Sequence, residues 1–584
     1  MSDTTLSNTT HQKNLYWMCS YGFAVGVIAG LGAWAFRRLI GLFHNILFLG
    51  EFDFYYDANV HTVTPSPWGP WIILAPVIGA LFVTWMVKNF APEAKGHGVP
   101  EVMDAVYYNR GVIRPIVALV KSVASAICIG SGGSVGREGP IIQIGSAFGS
   151  TLGQLTKLPV NQVVTLIAAG AGAGIAATFN APLGGLVFAI ELLLVSINVR
   201  TLLPVGLATV TSSYIGRLLL GVDPAFDFPD IQLAEFHLEQ PGFLALFIPF
   251  GILMGLIAFV FVRGIYWAED LFDRMPGNQY TRHLSGMLVV GILIYCVSVW
   301  SPTHHYYIQG VGYATIMDLI RGDIPLHGSD LVVLLLILFL LKLAATFLTL
   351  GSGGSGGVFS PSLFLGAIAG SLFWQLAHAV SPEWLANEIA DQQVAFVIAG
   401  MAAGVSASTG AMLTGAIMLI EMTADPTVTL PLMLTCVVSS EVRKLLSPGS
   451  VYTLKLMRRG HIVPEGLQAA MIDCRTARDV MTTDFRLLPS TVPFTPYQGL
   501  TVYRKPGSEF HVAPANIDSV PESLDSNACV FPQDTPLIEA LRMMKADDVL
   551  FGLVSESDRP EAAILGVITE HEIAEHLKLE AELL

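Results

Sequence analysis

Long apolar runs, interrupted by short polar breaks, dominate the first 460 residues. Runs long enough or nearly long enough to cross a bilayer fall at 17–36, 71–88, 112–130, 202–220, 243–265, 285–300 and 330–350. Shorter apolar pieces lie at 160–178, 181–195, 411–424 and 428–441. Lengths this uneven predict tilted, broken or re-entrant helices rather than a row of equal spans. The polar stretch 50–68 reads as a long external loop. The segment 222–242, with Asp223, Asp227, Pro229, Asp230 and Pro241, reads as a link between two halves. From 461 onward the pattern becomes that of a small α/β domain. Val549–Val554 and Ile564–Thr569 are strand-like, a helix is expected after Pro536, and another over Glu570–Lys578. The stretch 490–525 is Pro-rich and shows no clear strand pair.

Two of the polar breaks are near copies. Residues 130–140 (GSGGSVGREGP) and 351–361 (GSGGSGGVFSP) agree at seven of eleven positions. A second pair follows in the same order: residues 170–191 and 400–421 match at nine of 22 positions, among them Gly170/Gly400, Gly174/Gly404, Gly185/Gly415 and Glu191/Glu421. Each half therefore carries a glycine break, a small-residue helix and a helix running from Gly to Glu. Irregular backbone inside an apolar region survives only where protein surrounds it or where it lines a cavity. Two such breaks in matching halves point to a binding site near the membrane midplane.

Composition supports an integral membrane protein: 53% of residues are hydrophobic, 13% are charged and mean hydropathy is +0.59. Soluble domains carry about 25% charged residues. The net charge of −15 is uneven, because residues 461–584 hold 20 acids against nine Lys and Arg. The tail is thus a separate, water-facing, acidic unit. Arg443, Lys444, Lys455, Arg458 and Arg459 flank the end of the apolar region and place that side in the cytoplasm. Residues 1–14 are polar, lack a basic leader pattern, and are expected to be a disordered cytoplasmic start. The six cysteines are scattered and form neither a disulfide frame nor a zinc pattern. His571 and His576 are five apart, so they do not make the metal-binding pair of an H-E-x-x-H helix, and no metal site is expected.

The first break ends in Gly136-Arg137-Glu138-Gly139-Pro140 before an apolar run, and a proline in the first turn starts a helix well. Helix N-termini offer unpaired amides and partial positive charge, which favour anions. Glu138 beside such an end is then a tethered anion able to compete with a diffusible one, and an intramembrane acid marks function. The second break, Gly357-Val358-Phe359-Ser360-Pro361, offers a similar helix start without an acid. A third piece, Gly96-His97-Gly98-Val99-Pro100, is weak alone.

Taken together these pieces resemble the signatures of the CLC family of chloride channels and chloride/proton exchangers. GREGP matches fully, GVFSP fits G-x-F-x-P, and GHGVP fits except at its second position. The FNAPLGG segment at 179–185 and the tail agree as well. The resemblance implies an all-α membrane domain over 15–460, built of two inverted-topology repeats (about 15–221 and 243–460) of tilted and broken helices. A cytoplasmic CBS-like α/β domain at 461–584 follows, with a degenerate first module opening near Arg478–Thr482 and a clearer second one at about 526–580. It implies a homodimer in the inner membrane with a pore per subunit, both termini cytoplasmic, and no required cofactor or nucleic-acid partner. Glu138 is similar to the gating glutamate. Gly136, Arg137, Gly139, His97, Val358, Phe359 and Tyr452 are similar to the residues around the bound chloride. Two departures stand out. His97 replaces a small residue, leaving a fluoride-selective member open. Leu192 stands where exchangers of the family carry an internal proton-passing glutamate, which favours a passive channel over the alternative, a chloride/proton antiporter, unless Glu191 or water substitutes. In the tail, Thr569 and Glu572 resemble the contacts a CBS module makes with an adenine nucleotide. No nucleophile–base pair appears in the membrane part, so an enzyme is not expected.

Overall fold

The computed structural model describes residues 2–584 except 64, 196, 222–225, 227–240, 302, 391, 424, 462, 467–475, 489–498, 505–509, 514–525, 534, 536, 548, 557–562, 571 and 574–584. Most of the segment expected to link the halves lies outside the described residues, as does most of the helix expected over 570–578. The chain divides into two compact units, Met1–Gly466 and Leu467–Leu584.

The first unit is helical. Its first half holds α1 (Ser2–His44), α2 (Ala75–Asn89), α3 (Val99–Tyr107), α4 (Pro115–Gly130), α5 (Glu138–Leu155), α6 (Val160–Phe179), α7 (Pro182–Leu192) and α8 (Val199–Leu220). The second holds α9 (Pro241–Ala245), α10 (Phe247–Arg274), α11 (Gln279–Trp300), α12 (Tyr313–Arg321), α13 (Gly328–Ser352), α14 (Phe359–Val380), α15 (Glu383–Ile389), α16 (Gln393–Thr409), α17 (Met412–Thr423), α18 (Thr429–Leu446) and α19 (Thr453–Met457). Among the described residues, eight helical segments are long and apolar enough to cross a membrane, while α4, α7, α16 and α17 are apolar but short. The sequence pattern predicts this mixture. α1 is drawn from Ser2, and the first Gly of the chain is Gly22.

Small residues let the helices meet closely. A Cβ placed on Gly145 or on Gly170 would overlap the other's carbonyl oxygen, and Gly366 and Gly400 meet in the same way in the second half. Two of the short apolar helices, α7 and α17, are joined by exchanged caps. The Glu191 carboxylate, at the end of α7, accepts from the Leu413 and Thr414 amides (3.0 and 2.8 Å) at the start of α17. The Glu421 carboxylate of α17 accepts from the Leu183 and Gly184 amides (3.0 and 2.7 Å) at the start of α7. Each half thus supplies the acid that satisfies the orphan amides of the other. Glu191 is thus engaged as the cap of α17, and Leu192 is buried in the last turn of α7.

The second unit is one six-stranded sheet in the order β1 (Phe485–Leu488), β2 (Leu500–Arg504), β3 (Phe510–Ala513), β4 (Ser526–Pro532), β5 (Phe551–Ser555) and β6 (Ile564–Thr569), with helices α20 (Ala477–Val480) and α21 (Leu537–Ala546). β1–β2 and β4–β5 pair parallel, and the other pairs are antiparallel. β2 and β3 lie in the stretch expected to lack a strand pair, because Val502 and Val512 supply the buried face despite the prolines around them. Leu553 and Val567 join Val502 and Val512 in one core, while the next residues along, Val554 and Ile568, join Phe531, Ala540 and Met544 in another. This is the two-residue alternation of strands buried on both faces.

Candidate functional site

The two glycine breaks touch. Gly136 and Gly357 each donate their amide to the other's carbonyl at 2.7 Å, an isolated antiparallel bridge. The third break joins on the other side: the Gly96 amide donates to the Gly354 carbonyl at 3.0 Å, and the Gly356 amide to the Gly96 carbonyl at 3.2 Å. The starts of α5 and α14 are thereby held against one another, with Arg137 and Val358 as their cap residues. The opening amides of a helix have no carbonyl one turn earlier, so both ends present donors and positive potential to the same region. Glu138, Gly139, Val358 and Phe359 are all buried there.

The Glu138 carboxylate is fully buried, and side chains from the other half of the chain hold it. Ser360 Oγ lies 2.7 Å from both of its oxygens, and the Tyr313 hydroxyl donates to Oε1. The two hydroxyls are 2.8 Å apart. Arg137 Nε is 4.0 Å from Oε1, and the same guanidinium lies 5.2 Å from the Tyr313 ring centre. Beside Arg137 opens a cavity of about 440 Å³. Its lining includes Arg37, Arg38, Arg217 and Arg321, with Asp57 as the acid among the described residues. Basic walls around a recess raise the local concentration of anions.

Tyr452, the cap residue of α19, is also buried, and its turn is pinned from three sides. The Val451 amide donates to the Ser408 carbonyl at 2.8 Å, and the Tyr266 hydroxyl donates to the Val451 carbonyl. Below the turn, Glu465 accepts from Thr453 Oγ1 (2.7 Å), from the Ser450 amide and from Arg443 Nη2 (2.8 Å). Arg443 is buried, and its Nε donates to the Ala407 carbonyl. Glu465 lies at the end of the first unit, which runs to Gly466. Burial pushes the Glu465 carboxyl up, but the Arg443 guanidinium, the Thr453 hydroxyl and the Ser450 amide outweigh it and hold the group below its ordinary value. A carboxyl lowered in the folded state adds stability above its unfolded value, about 4.3, and loses it as pH falls through the folded value. Glu465→Ala leaves Arg443 buried without its counter-charge, a loss of about 3–5 kcal/mol. The expected result is a lower thermal midpoint by tryptophan fluorescence in detergent at pH 7, with the gap to the parent closing below about pH 4.

His97 is buried, and its ring meets Tyr266 edge-on at 6.2 Å. Its Nδ1 has no hydrogen-bond partner. Burial, and then the charges of Lys455, Lys121 and Arg459, oppose a positive charge on the ring. Thr569 and Glu572 lie in the second unit and serve one another: Glu572 Oε2 accepts from the Thr569 amide and hydroxyl at 2.8 Å, and the Glu572 amide donates to Thr569 Oγ1 at 3.1 Å. This is a T-x-x-E capping box.

Sequence reasoning missed Lys121, Lys342 and Tyr313, and gave Ser360 no role of its own. Lys121 Nζ donates to the Ala94 and Gly96 carbonyls at 3.0 and 2.7 Å, and Lys342 Nζ to the Ile308 and Gly310 carbonyls at 3.1 and 2.8 Å. Each fully buried lysine therefore clamps a glycine loop in its own half. The loop under Lys342 is a fourth break, Gly310-Val311-Gly312, with Gly98 (φ 90°) and Gly312 (φ 82°) both in a backbone region that favours glycine. It delivers Tyr313 to Glu138, and α14 delivers Ser360. The visible signal was a lysine at the same distance before each main break, inside an otherwise apolar run.

A family model described as "Voltage gated chloride channel" matches residues 79–444. The chain is 30% identical over 440 residues to the H(+)/Cl(−) exchange transporter ClcA of Cronobacter sakazakii, covering 74% of this chain and 88% of that protein. It is 31% identical over 405 residues to a putative chloride channel protein, ClcB-like, of Ralstonia nicotianae, covering 68% and 88%. Among solved structures, a slow cyanobacterial Cl−/H+ antiporter superposes with TM-score 0.64 at 26% identity, over 76% of this chain and 97% of that one. A eukaryotic CLC transporter gives TM-score 0.62 at 19% identity over 96% of this chain and 98% of that one, a likeness of fold.

Proposed function

Because this chain belongs to the CLC family of chloride channels and exchangers, we propose that it is a chloride/proton exchanger whose pore is gated by Glu138. It is a multi-pass membrane protein that transports chloride, and it is not an enzyme. The observation that carries the gate is a buried carboxylate held between two helix starts that are bridged backbone to backbone. Chloride gives up its water to the amides of Val358 and Phe359 and to the Tyr452 hydroxyl. The charged Glu138 carboxylate competes for the outer part of that site, and a proton on Glu138 removes the competitor. Gly136 and Gly139 let the two breaks approach, Arg137 adds positive potential, the backbone at Gly96 supports the second break, and the His97 carbonyl lies against Gly139 of the first.

The passive channel expected from Leu192 becomes the second reading. The relatives whose names specify exchange, and the antiporter structure at 26% identity, favour coupling. In the exchange reading the proton passes Leu192 on water, since Glu191 is committed to capping α17. The exchanged caps and matching glycine contacts support an inverted-repeat relation between the halves, and family resemblance supports a homodimer with the tail in the cytoplasm. The sheet unit is read as a CBS-like regulatory domain, with Thr569 and Glu572 serving its fold rather than a nucleotide.

Proteoliposomes decide between the two readings. An outward chloride gradient should drive proton uptake against a proton gradient, followed with a pH electrode while a potassium ionophore clamps the voltage. Chloride flux with no proton movement would replace exchange with the channel.

A further inference from the structure

We propose that the hydroxyls of Ser360 and Tyr313 are the side-chain donors of the outer anion site, lent to Glu138 when the gate is closed. The inference rests on the gate role of Glu138 and adds two specificity-determining residues to it. Both hydroxyls are fully buried, and both point at the one group in the site that has to move. The carboxylate oxygens stand where a compact monoanion would sit. When Glu138 leaves, the two hydroxyls can bond one another across 2.8 Å, which still leaves one desolvated donor without an acceptor. An orphaned buried hydroxyl is costly, so a site that opens repeatedly needs a second acceptor for the same donors. A halide or a small oxyanion such as nitrate meets that need, accepting from both hydroxyls at once.

The geometry fits this shared use. Ser360 sits in the first turn of α14, so its hydroxyl adds to the donors of that helix start. Tyr313 is fixed by its place in the first turn of α12, by the Arg137 guanidinium over its ring, and by Phe226, whose ring meets it edge-on at 4.9 Å. The two hydroxyls lie 2.8 Å apart with Glu138 in place, close enough for one compact anion to reach both. The titratable and charged groups around Glu138 are Arg137 from its own helix cap, Tyr313 from α12 and Tyr452 from the α19 turn.

The test removes the competitor first. Full-length Glu138→Ala in detergent is titrated with chloride by isothermal calorimetry, alone and with Ser360→Ala, Ser360→Thr or Tyr313→Phe added. Hydrogen bonds to a charged partner are strong enough that each lost hydroxyl should weaken chloride binding about tenfold or more. Threonine keeps the hydroxyl and should restore affinity to within about threefold, with thermal midpoints alike across the set. Equal chloride affinity with and without the two hydroxyls would overturn the inference, as would Glu138→Ala binding no chloride. A failure of the gate reading shows in a different place, as chloride flux whose pH dependence survives Glu138→Gln.

Discussion

Chloride efflux from liposomes carrying Glu138→Gln should lose its dependence on pH, while the parent protein slows steadily as the medium becomes more alkaline. Glutamine keeps the size of the side chain and removes the charge. The competitor for the anion site is then absent at every pH, as it is in the parent only when a proton is bound. A single-proton gate loses about tenfold in open fraction for each pH unit on its alkaline side. Two units above the parent's midpoint, the variant should therefore pass chloride about a hundredfold faster than a strictly gated parent. Proton movement should vanish in the same variant, since the carrier of the proton is gone. Retained pH dependence would remove Glu138 from the gate, whatever its contacts.

The second large effect is expected at Gly357. A Cβ there would lie 2.7 Å from the Gly139 amide nitrogen, 3.2 Å from the Gly139 Cα and 3.3 Å from the Gly136 carbonyl oxygen. All three are backbone atoms of the facing break, so no side chain can turn aside to make room. Gly357→Ala must push the two helix starts apart and break the paired 2.7 Å hydrogen bonds between them. Overpacking and loss of these bonds together should cost about 3 kcal/mol or more. The expected outcome is a thermal midpoint several degrees lower, together with chloride flux near background. Gly206→Ala is the comparison: it lies in α8 with nothing within 4 Å of the added carbon. There alanine should be neutral or should stabilise the helix by about 0.5–1 kcal/mol. Equal behaviour of the two variants would mean that the bridge between the breaks is dispensable.

Much of this site was legible in the sequence because its chemistry is backbone chemistry. Glycine-rich breaks inside apolar runs require a partner, and two near-identical breaks supplied one for each other. Glu138 stood out as an acid where acids are costly. The short helices were also readable from Pro182 and from the small residues around Gly170 and Gly400. What escaped notice depends on contacts distant in sequence. Tyr313 reaches Glu138 across 175 positions, and nothing next to it marks it as different from any interfacial tyrosine. Ser360 was visible within a motif, yet its role comes from facing a carboxylate of the other half. Glu465 was counted with the acidic tail, although Arg443 and the Tyr452 turn draw it into the helical unit. β2 and β3 were hidden by the prolines around them, which obscure the short alternating segments that build the sheet.

The crossed acid caps between α7 and α17 also bear on how the protein is made. During synthesis, the amides that open α7 emerge from the ribosome long before Glu421 exists to receive them. The early half must then leave the insertion machinery with an unsatisfied helix end in a greasy environment, or wait beside it until the later half arrives. Neither half satisfies the start of its own short helix without the other's acid.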